Sequence, residues 1–449
     1  MTGRRRFSSL RPFQSSARHL CARSTRSTRS RGSTGSTRGT RGRRGGALLA
    51  LATLLSGCGV LPGDPGGSRS AVTVMTWAPM GSNATNLPGM PAMARAYAGW
   101  VNASGGIGGH ELRVLTCNER NDSAGAAECA RRAVKEKAVA VVGSYSQFGR
   151  EFMAPLEAAG IPYIGGYGIS EEEFTSFLSY PVNGGVATLL AGSGRQVARN
   201  CDRTALVRAD TIAGDDLPEL MDAGLAEGGR GSVSDVRAAE DATDYTRQAR
   251  TARERAGDGG CVTAVLGDRT ETFFDSYRRL PDDGRNIRVS SVLGSVDQSL
   301  VDRTGGKDGI FENAYFTGWY PVASDPAWAE MRGVIDKYAF GDNDIDPADP
   351  GAQTTWIAYT VLKKVVESIG ADEITTGRIT DTLDRGLEVN TGGLTPTLRW
   401  RYEDMLGTPN FPRIINGDVT FQVVRQGRLV SERKGFVSVG ETLLGESHR

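Results

Sequence analysis

Histidine is nearly missing from this 449-residue chain, which contains only His19, His110 and His448. His19 falls in a basic leader and His448 beside the C-terminus, so only His110, in a turn, could serve a folded site. That leaves almost no material for a Ser-His-Asp triad or a histidine-based zinc centre. Other chemical signatures are missing too. The chain has no G-x-S-x-G elbow, no G-x-x-x-x-G-K-[ST] phosphate loop, no G-x-G-x-x-G fingerprint and no C-x-x-C pair. The adjacent carboxylates Asp215-Asp216 and Asp282-Asp283 sit in polar, turn-like stretches and read as solvated loops, not as a glycosidase pair. No catalytic residue, metal or cofactor is expected.

Acidic residues are missing from one end. Residues 1–44 hold 13 Arg and no Lys, Asp or Glu, and residues 45–57 carry no charge. The remaining 392 residues have 40 basic against 52 acidic side chains. So acidic a body has no clustered positive field for phosphates, and nucleic acid is excluded as a partner. Its length exceeds what one hydrophobic core usually serves, so two domains are expected.

The apolar run Gly46–Gly57, GALLALATLLSG, has only twelve residues. As a helix it would span roughly 18 Å, too short for a bilayer core of about 30 Å. A basic region followed by a short apolar one is the layout of a secretory signal peptide. Leu55-Ser56-Gly57-Cys58 then resembles the lipobox of bacterial lipoproteins. The resemblance implies cleavage before Cys58, acylation of its thiol, and anchoring at the outer face of the cytoplasmic membrane. Residues 1–57 are thus expected to be a signal peptide and residues 58–70, rich in Gly and Pro, a flexible tether. The basic region is long for such a signal, which favours an early start codon over a twin-arginine element at Arg4-Arg5-Arg6-Phe7.

With Cys21 removed and Cys58 lipidated, Cys117, Cys129, Cys201 and Cys261 remain. An even set in an exported protein suggests disulfides, with three possible pairings. Cys117–Cys129 and Cys201–Cys261 are favoured. Cys117 ends a predicted strand whose next helix carries Cys129, and Cys201 and Cys261 each precede an apolar strand, TALV and VTAVL.

From Ala71 onward, strand and helix patterns alternate. Strands are predicted at 71–76, 112–115, 138–142 and 161–165, with helices between them. A second set begins with a helix at 188–199 and places strands at 205–207, 232–237, 261–266 and 288–293. Residues 309–320 read as extended and 353–369 as a long helix, and 418–432 as a hairpin about Gln426-Gly427. The order implies an α/β fold with two Rossmann-like parallel-sheet lobes.

The segment WVNASGGIGG at 100–109, followed after His110 by ELRVLT, resembles a signature of type I periplasmic binding proteins. This is the leucine/isoleucine/valine-binding-like branch of ABC-transporter solute receptors. AVAVVGSYS, PYIGGY, ATDYTRQARTARERAGDGGCVTAVLG and TGGLTPTLRW extend the resemblance over 71 to about 435. It implies lobes of 71–184 plus 318–398 and 185–317 plus 399–440, a three-segment hinge, and a tail at 441–449. The implied function is capture of a small polar or amino-acid-like solute between the lobes for ABC permease subunits in the membrane, by a monomer. A ligand-sensing module for a signalling partner is the alternative on the same fold.

Ligands of open parallel sheets lie beyond the carboxyl ends of strands. The resemblance therefore implies a binding site built from Trp77, Ser144, Tyr145, Ser146, Gln147, Tyr167 and Gly168 in the first lobe. In the second it implies Asp210, Asp268, Arg269 and Ser295, with Trp319 near a crossing. The match departs from amino-acid-binding members at three positions. Ile169 stands in place of a hydroxyl residue, Ala213 in place of an aromatic one, and Ser295 in place of an acid that would hold an ammonium.

Overall fold

The computed structural model describes residues 69–292, 295–339 and 344–446. The expected signal peptide, Cys58 and most of the tether lie outside the described residues. None of the described helices is long and apolar enough to cross a membrane.

Two sheets organise the chain. β1 (Val72–Ala78), β2 (Leu112–Asn118), β3 (Ala140–Val142), β4 (Tyr163–Ile164) and β5 (Ser179–Tyr180) form a wholly parallel sheet in the order β2-β1-β3-β4-β5. β6 (Thr204–Ala209), β7 (Ser234–Ala238), β8 (Cys261–Val265), β9 (Arg288–Val292) and β10 (Tyr315–Gly318) pair in parallel as β10-β9-β8-β6-β7. β11 (Asp418–Arg425) joins β10 antiparallel, and β12 (Arg428–Ser431) and β13 (Val437–Ser438) pair with β11. The second sheet is therefore mixed at one edge. The predicted hairpin supplies that edge, turning through Gln426 and Gly427, both at positive φ.

The central parallel strands read as apolar runs because helices cover both of their faces. AVV of β3 is buried throughout. The helix Ser123–Lys135 starts where Asp122 accepts the Gly125 N–H at 2.6 Å, and it presents Ala126, Cys129, Ala130 and Ala133 to the sheet. Such small residues let the helix lie close, and Cys129 bonds Cys117 on β2. Cys201 bonds Cys261 at the start of β8.

The turn at Gly105–Gly109 depends on glycine. A Cβ on Gly106 would lie 2.0 Å from the His110 carbonyl oxygen, and all four glycines have positive φ. His110 itself is buried, its ring nitrogens 2.7 Å from the Ser70 carbonyl and 2.9 Å from that of Ala371. It ties the segment before β1 to the loop at Ala371.

The helix Pro350–Ile369 begins three residues before its predicted start, where Asp349 caps the N–H groups of Gly351 and Ala352, both at 3.0 Å. It packs on the helix Gly89–Ala103 through Trp356, whose ring lies 5.0 Å from Tyr97 and 5.4 Å from Trp100. Three chain segments pass between the sheets side by side. The Asn183 amide donates to the Tyr320 hydroxyl at 3.0 Å, the Trp400 indole to the Pro181 carbonyl at 2.8 Å, and the Asn416 amide to the Val182 carbonyl at 3.3 Å. The stretch expected as a tail begins with the helix Gly440–Glu446, which packs on the helix Leu217–Glu227.

Candidate functional site

Loops leaving the carboxyl ends of both sheets enclose a cavity of about 110 Å³. The first sheet contributes Thr85 and Leu87 from the loop after β1, Tyr145 and Gln147 after β3, and Tyr167 and Ile169 after β4. The second contributes Thr211 and Ala213 after β6, Glu240 after β7, Leu266 and Asp268 after β8, Ser295 after β9 and Trp319 after β10. Val186 and Leu189 enter from the helix Gly185–Ala198. The lining is mostly apolar, and Tyr145, Tyr167 and Trp319 form an edge-to-face chain with centroid spacings of 5.2 and 5.1 Å.

Local hydrogen bonding decides which residue of each loop reaches the cavity. After β3, Ser144 Oγ accepts the Trp77 N–H at 3.1 Å, and Ser146 Oγ donates to the Glu119 carboxylate at 3.1 Å while accepting the Phe148 N–H. Both hydroxyls turn inward, so the intervening Tyr145 and the following Gln147 point the other way. After β4, the carboxylate of Glu173 accepts the N–H groups of Gly168, Ile169 and Ser170, each at 3.0 Å, and the Ser170 hydroxyl at 3.1 Å. Gly168 has φ 88°, and a Cβ there would stand 2.7 Å from Asn183 Oδ1. Burial pushes the carboxyls of Glu119 and Glu173 up to about 7, against the pull of these hydrogen bonds.

Hydrogen bonds bridge the rims of the two halves. The Asn86 N–H donates to Asp268 Oδ2 at 2.7 Å, the Gln147 amide to Glu240 Oε1 at 3.4 Å, and Arg269 to the Asn83 carbonyl.

Of the residues expected at the site, Tyr145, Gln147, Tyr167, Asp268, Ser295 and Trp319 line the cavity. The others lie elsewhere. β1 runs two residues past its predicted end, so Trp77 is a strand residue packed on Phe152 and Tyr163. Ser144 and Ser146 are fully buried behind the loop, and Gly168 is sealed by Glu173 and Asn183. Asp210 pairs with Arg237 at 3.3 Å, and Arg269 faces the rim. The departures Ile169, Ala213 and Ser295 all face the cavity. Sequence reading missed Thr85, Leu87, Leu189, Thr211 and Glu240. Glu240 was the findable one, because it closes the loop after a predicted strand.

A larger hollow of about 660 Å³ lies on elements of the second sheet alone, between the helices Leu217–Glu227 and Gly440–Glu446. Arg195 pairs with Glu227 at 3.0 Å within it, and Arg230 with Asp202 at 3.3 Å. Of these two hollows, the smaller is the one framed by strand-end loops of both sheets.

A two-sheet α/β protein with a solute-sized cavity between opposed strand ends is a binding protein in architecture. Residues 74–407 match the family model described as periplasmic binding protein. The chain belongs to that family, in its type I branch. Among curated proteins none matches the chain. Solved structures share the fold. A possible leucine/isoleucine/valine-binding protein from Rhodopirellula baltica aligns with TM-score 0.66 and 14% identity, covering 82% of this chain and 97% of that one. A solute-binding protein of an R. palustris ABC transporter, in complex with 4-hydroxybenzoate, gives 0.64, 14%, 82% and 97%. A fatty acid ABC transporter substrate-binding protein from Thermomonospora curvata gives 0.64, 13%, 84% and 94%. Family membership implies an exported, extracytoplasmic solute-binding receptor.

Proposed function

We propose that this protein is a lipid-anchored receptor that gathers a small solute in the cavity between its sheets and delivers it to an ABC permease. The lobes are taken as 71–184 with 318–398 and 185–317 with 399–440. The observation that carries the reading is the cavity at the strand ends, enclosed by both halves and bridged at its rims. A volume of about 110 Å³ is of the order of a cavity that admits a single-ring guest. The mostly apolar lining supports a solute with a hydrocarbon body, in keeping with the absence of the three amino-acid anchors at Ile169, Ala213 and Ser295.

The reading is tested by native mass spectrometry of the protein purified from its own cells, followed by thermal unfolding with the solute recovered. A solute at 100 times its dissociation constant is expected to add about 2.7 kcal/mol of stability. No co-purified solute and no stabilisation by any compound of a broad metabolite panel would remove the reading.

Ala213 offers a test of place. It is half-buried at the cavity, and Ala213→Trp fills the space with an indole. Solute affinity is expected to fall at least tenfold with the unfolding midpoint little changed. Unchanged affinity would put the binding site elsewhere.

The lipid anchor rests on Cys58. Cys58→Ala is expected to shift the protein from the membrane fraction to the soluble extracytoplasmic one in a fractionation blot. Retention of the variant in membranes would exclude lipidation as the anchor.

A further inference from the structure

The polar groups around the cavity are unevenly supplied. Among the described residues lining it are two carboxylates, Glu240 and Asp268, and no Lys, Arg or His. The guanidinium of Arg269 is turned to the Asn83 carbonyl at the rim, and that of Arg208, beside Ala209 and Gly214, is held by Asp215 and Asp235.

Several of the donors that strand-end loops could offer an anion are occupied. Successive N–H groups in such loops form concavities that take anions. After β4 that concavity, made by Gly168, Ile169 and Ser170, already holds the carboxylate of Glu173. After β3 the Ser146 hydroxyl is committed to Glu119, which also takes the Asn121 N–H at 3.1 Å. The Trp319 indole N–H is spent on the Gly185 carbonyl at 2.9 Å. A carboxylate solute would lose its water and find few protein donors in exchange, which is a large cost.

The approach has the same sign. A hollow of about 300 Å³ adjoins the cavity and shares Leu87, Gly267, Asp268 and Ser295 with it. Among the described residues, five more carboxylates line it, on Glu271, Asp297, Asp344, Asp346 and Asp349, against the single cation Arg303. Arg303 is itself paired with Glu271 at 3.1 Å. Carboxylates of one sign around a low-dielectric cleft raise the local concentration of cations. Inside, the chain of Tyr145, Tyr167 and Trp319 supplies aromatic rings, which attract an alkylammonium.

We propose that the solute is an organic cation, an ammonium head on a compact apolar body with no carboxylate. The proposal rests on the receptor reading and narrows it. The aromatic and aliphatic side chains receive the body, and Glu240 or Asp268 receives the head.

The test is calorimetric titration of the purified full chain with one-ring compounds of similar size and different heads. Benzylamine and phenethylamine represent the cation, benzyl alcohol the neutral isostere, phenylacetate the anion and phenylalanine the zwitterion. The amines are expected to bind at least 100-fold more tightly than phenylacetate or phenylalanine and at least tenfold more tightly than the alcohol. Glu240→Gln or Asp268→Asn is expected to lower amine affinity tenfold or more while leaving the alcohol unchanged. Amine affinity no better than that of the matched carboxylate, or an amine preference that survives both substitutions, overturns the proposal. If an anionic or zwitterionic compound binds best, the receptor reading stands and only the cation assignment falls. If nothing in this set or in the metabolite panel binds, both fall.

Discussion

Glu173→Ala is expected to lower the free energy of unfolding by about 3 kcal/mol, read from urea titrations at unchanged slope. The carboxylate satisfies three backbone N–H groups and one hydroxyl in a loop sealed from solvent. Each donor left unpaired would cost about 1–3 kcal/mol. Removing a buried charge and admitting water return part of that sum, which keeps the net well below four full penalties. Formate fits the vacated space and offers the same two oxygens. It is expected to restore part of the loss in a concentration-dependent way, by mass action on the folded state. No rescue by formate, together with a loss below 1 kcal/mol, would show that the loop does not depend on this carboxylate. The pH dependence has a definite sign. Burial raises the folded-state carboxyl to about 7 from an ordinary 4.5, so the folded state keeps a proton that the unfolded chain has released. The contribution of this group to stability is therefore greatest below pH 4.5 and declines as pH rises to about 7, by roughly 3 kcal/mol. Glu119 declines in the same window for the same reason, so Glu173→Gln should flatten the decline without abolishing it.

How far the fold could be read from sequence follows from its parallel strands. Strands buried on both faces appear as apolar runs, so AVAVV and VTAVL were visible at once, and the helices between them showed the 3.6-residue period. Where a strand was misjudged, the cause is local. IPYIG yields only Tyr163–Ile164 as β4, since Pro162 has no N–H to give a neighbour. The extended reading of 309–320 shrinks to Tyr315–Gly318, because Asn313 sits at φ 63° just before it. The hairpin was legible through its Gln-Gly turn, but its docking on β10 rests on a pairing about a hundred residues apart that no local pattern records.

The site was legible at the level of loops and not of side chains. The strand-end rule chose the loops after β3, β4, β8 and β9, and those loops line the cavity. It could not say that Ser144 and Ser146 face inward while Tyr145 and Gln147 face the cavity. That choice is made by the Trp77 amide, on β1, and the Glu119 carboxylate, just past the end of β2. Glu173 was hidden for a related reason. Within Glu171-Glu172-Glu173 it reads as one of three surface acids, yet Glu171 is exposed and Glu173 is wholly buried. What distinguishes them is the helical turn Glu172–Thr175, which carries one carboxylate beneath the preceding loop.

Removing the Cys201–Cys261 disulfide by a double alanine substitution is expected to cost about 4 kcal/mol, against about 3 kcal/mol for Cys117–Cys129. The difference comes from the loops closed. The first pair is separated by 60 residues and the second by 12, and the conformational entropy denied to the unfolded chain grows with the logarithm of loop length. The longer loop contains β6, the helix Leu217–Glu227, β7 and the helix Thr246–Ala256, so the bond fastens an entire βαβα unit. Both cysteines are buried, and alanine leaves no unpaired hydroxyl there. Guanidinium titrations of the two double variants should therefore rank Cys201–Cys261 as the costlier loss. The reverse order would show that native packing, not chain entropy, governs these bonds. Solute binding should respond differently. Cys261 opens β8, and the five residues of that strand, about 3.3 Å each, set it roughly 16 Å from the loop that brings Leu266 and Asp268 to the cavity. Below its lowered melting temperature the variant is expected to bind solute as the wild type does, because the bond anchors the far end of the strand that carries the site.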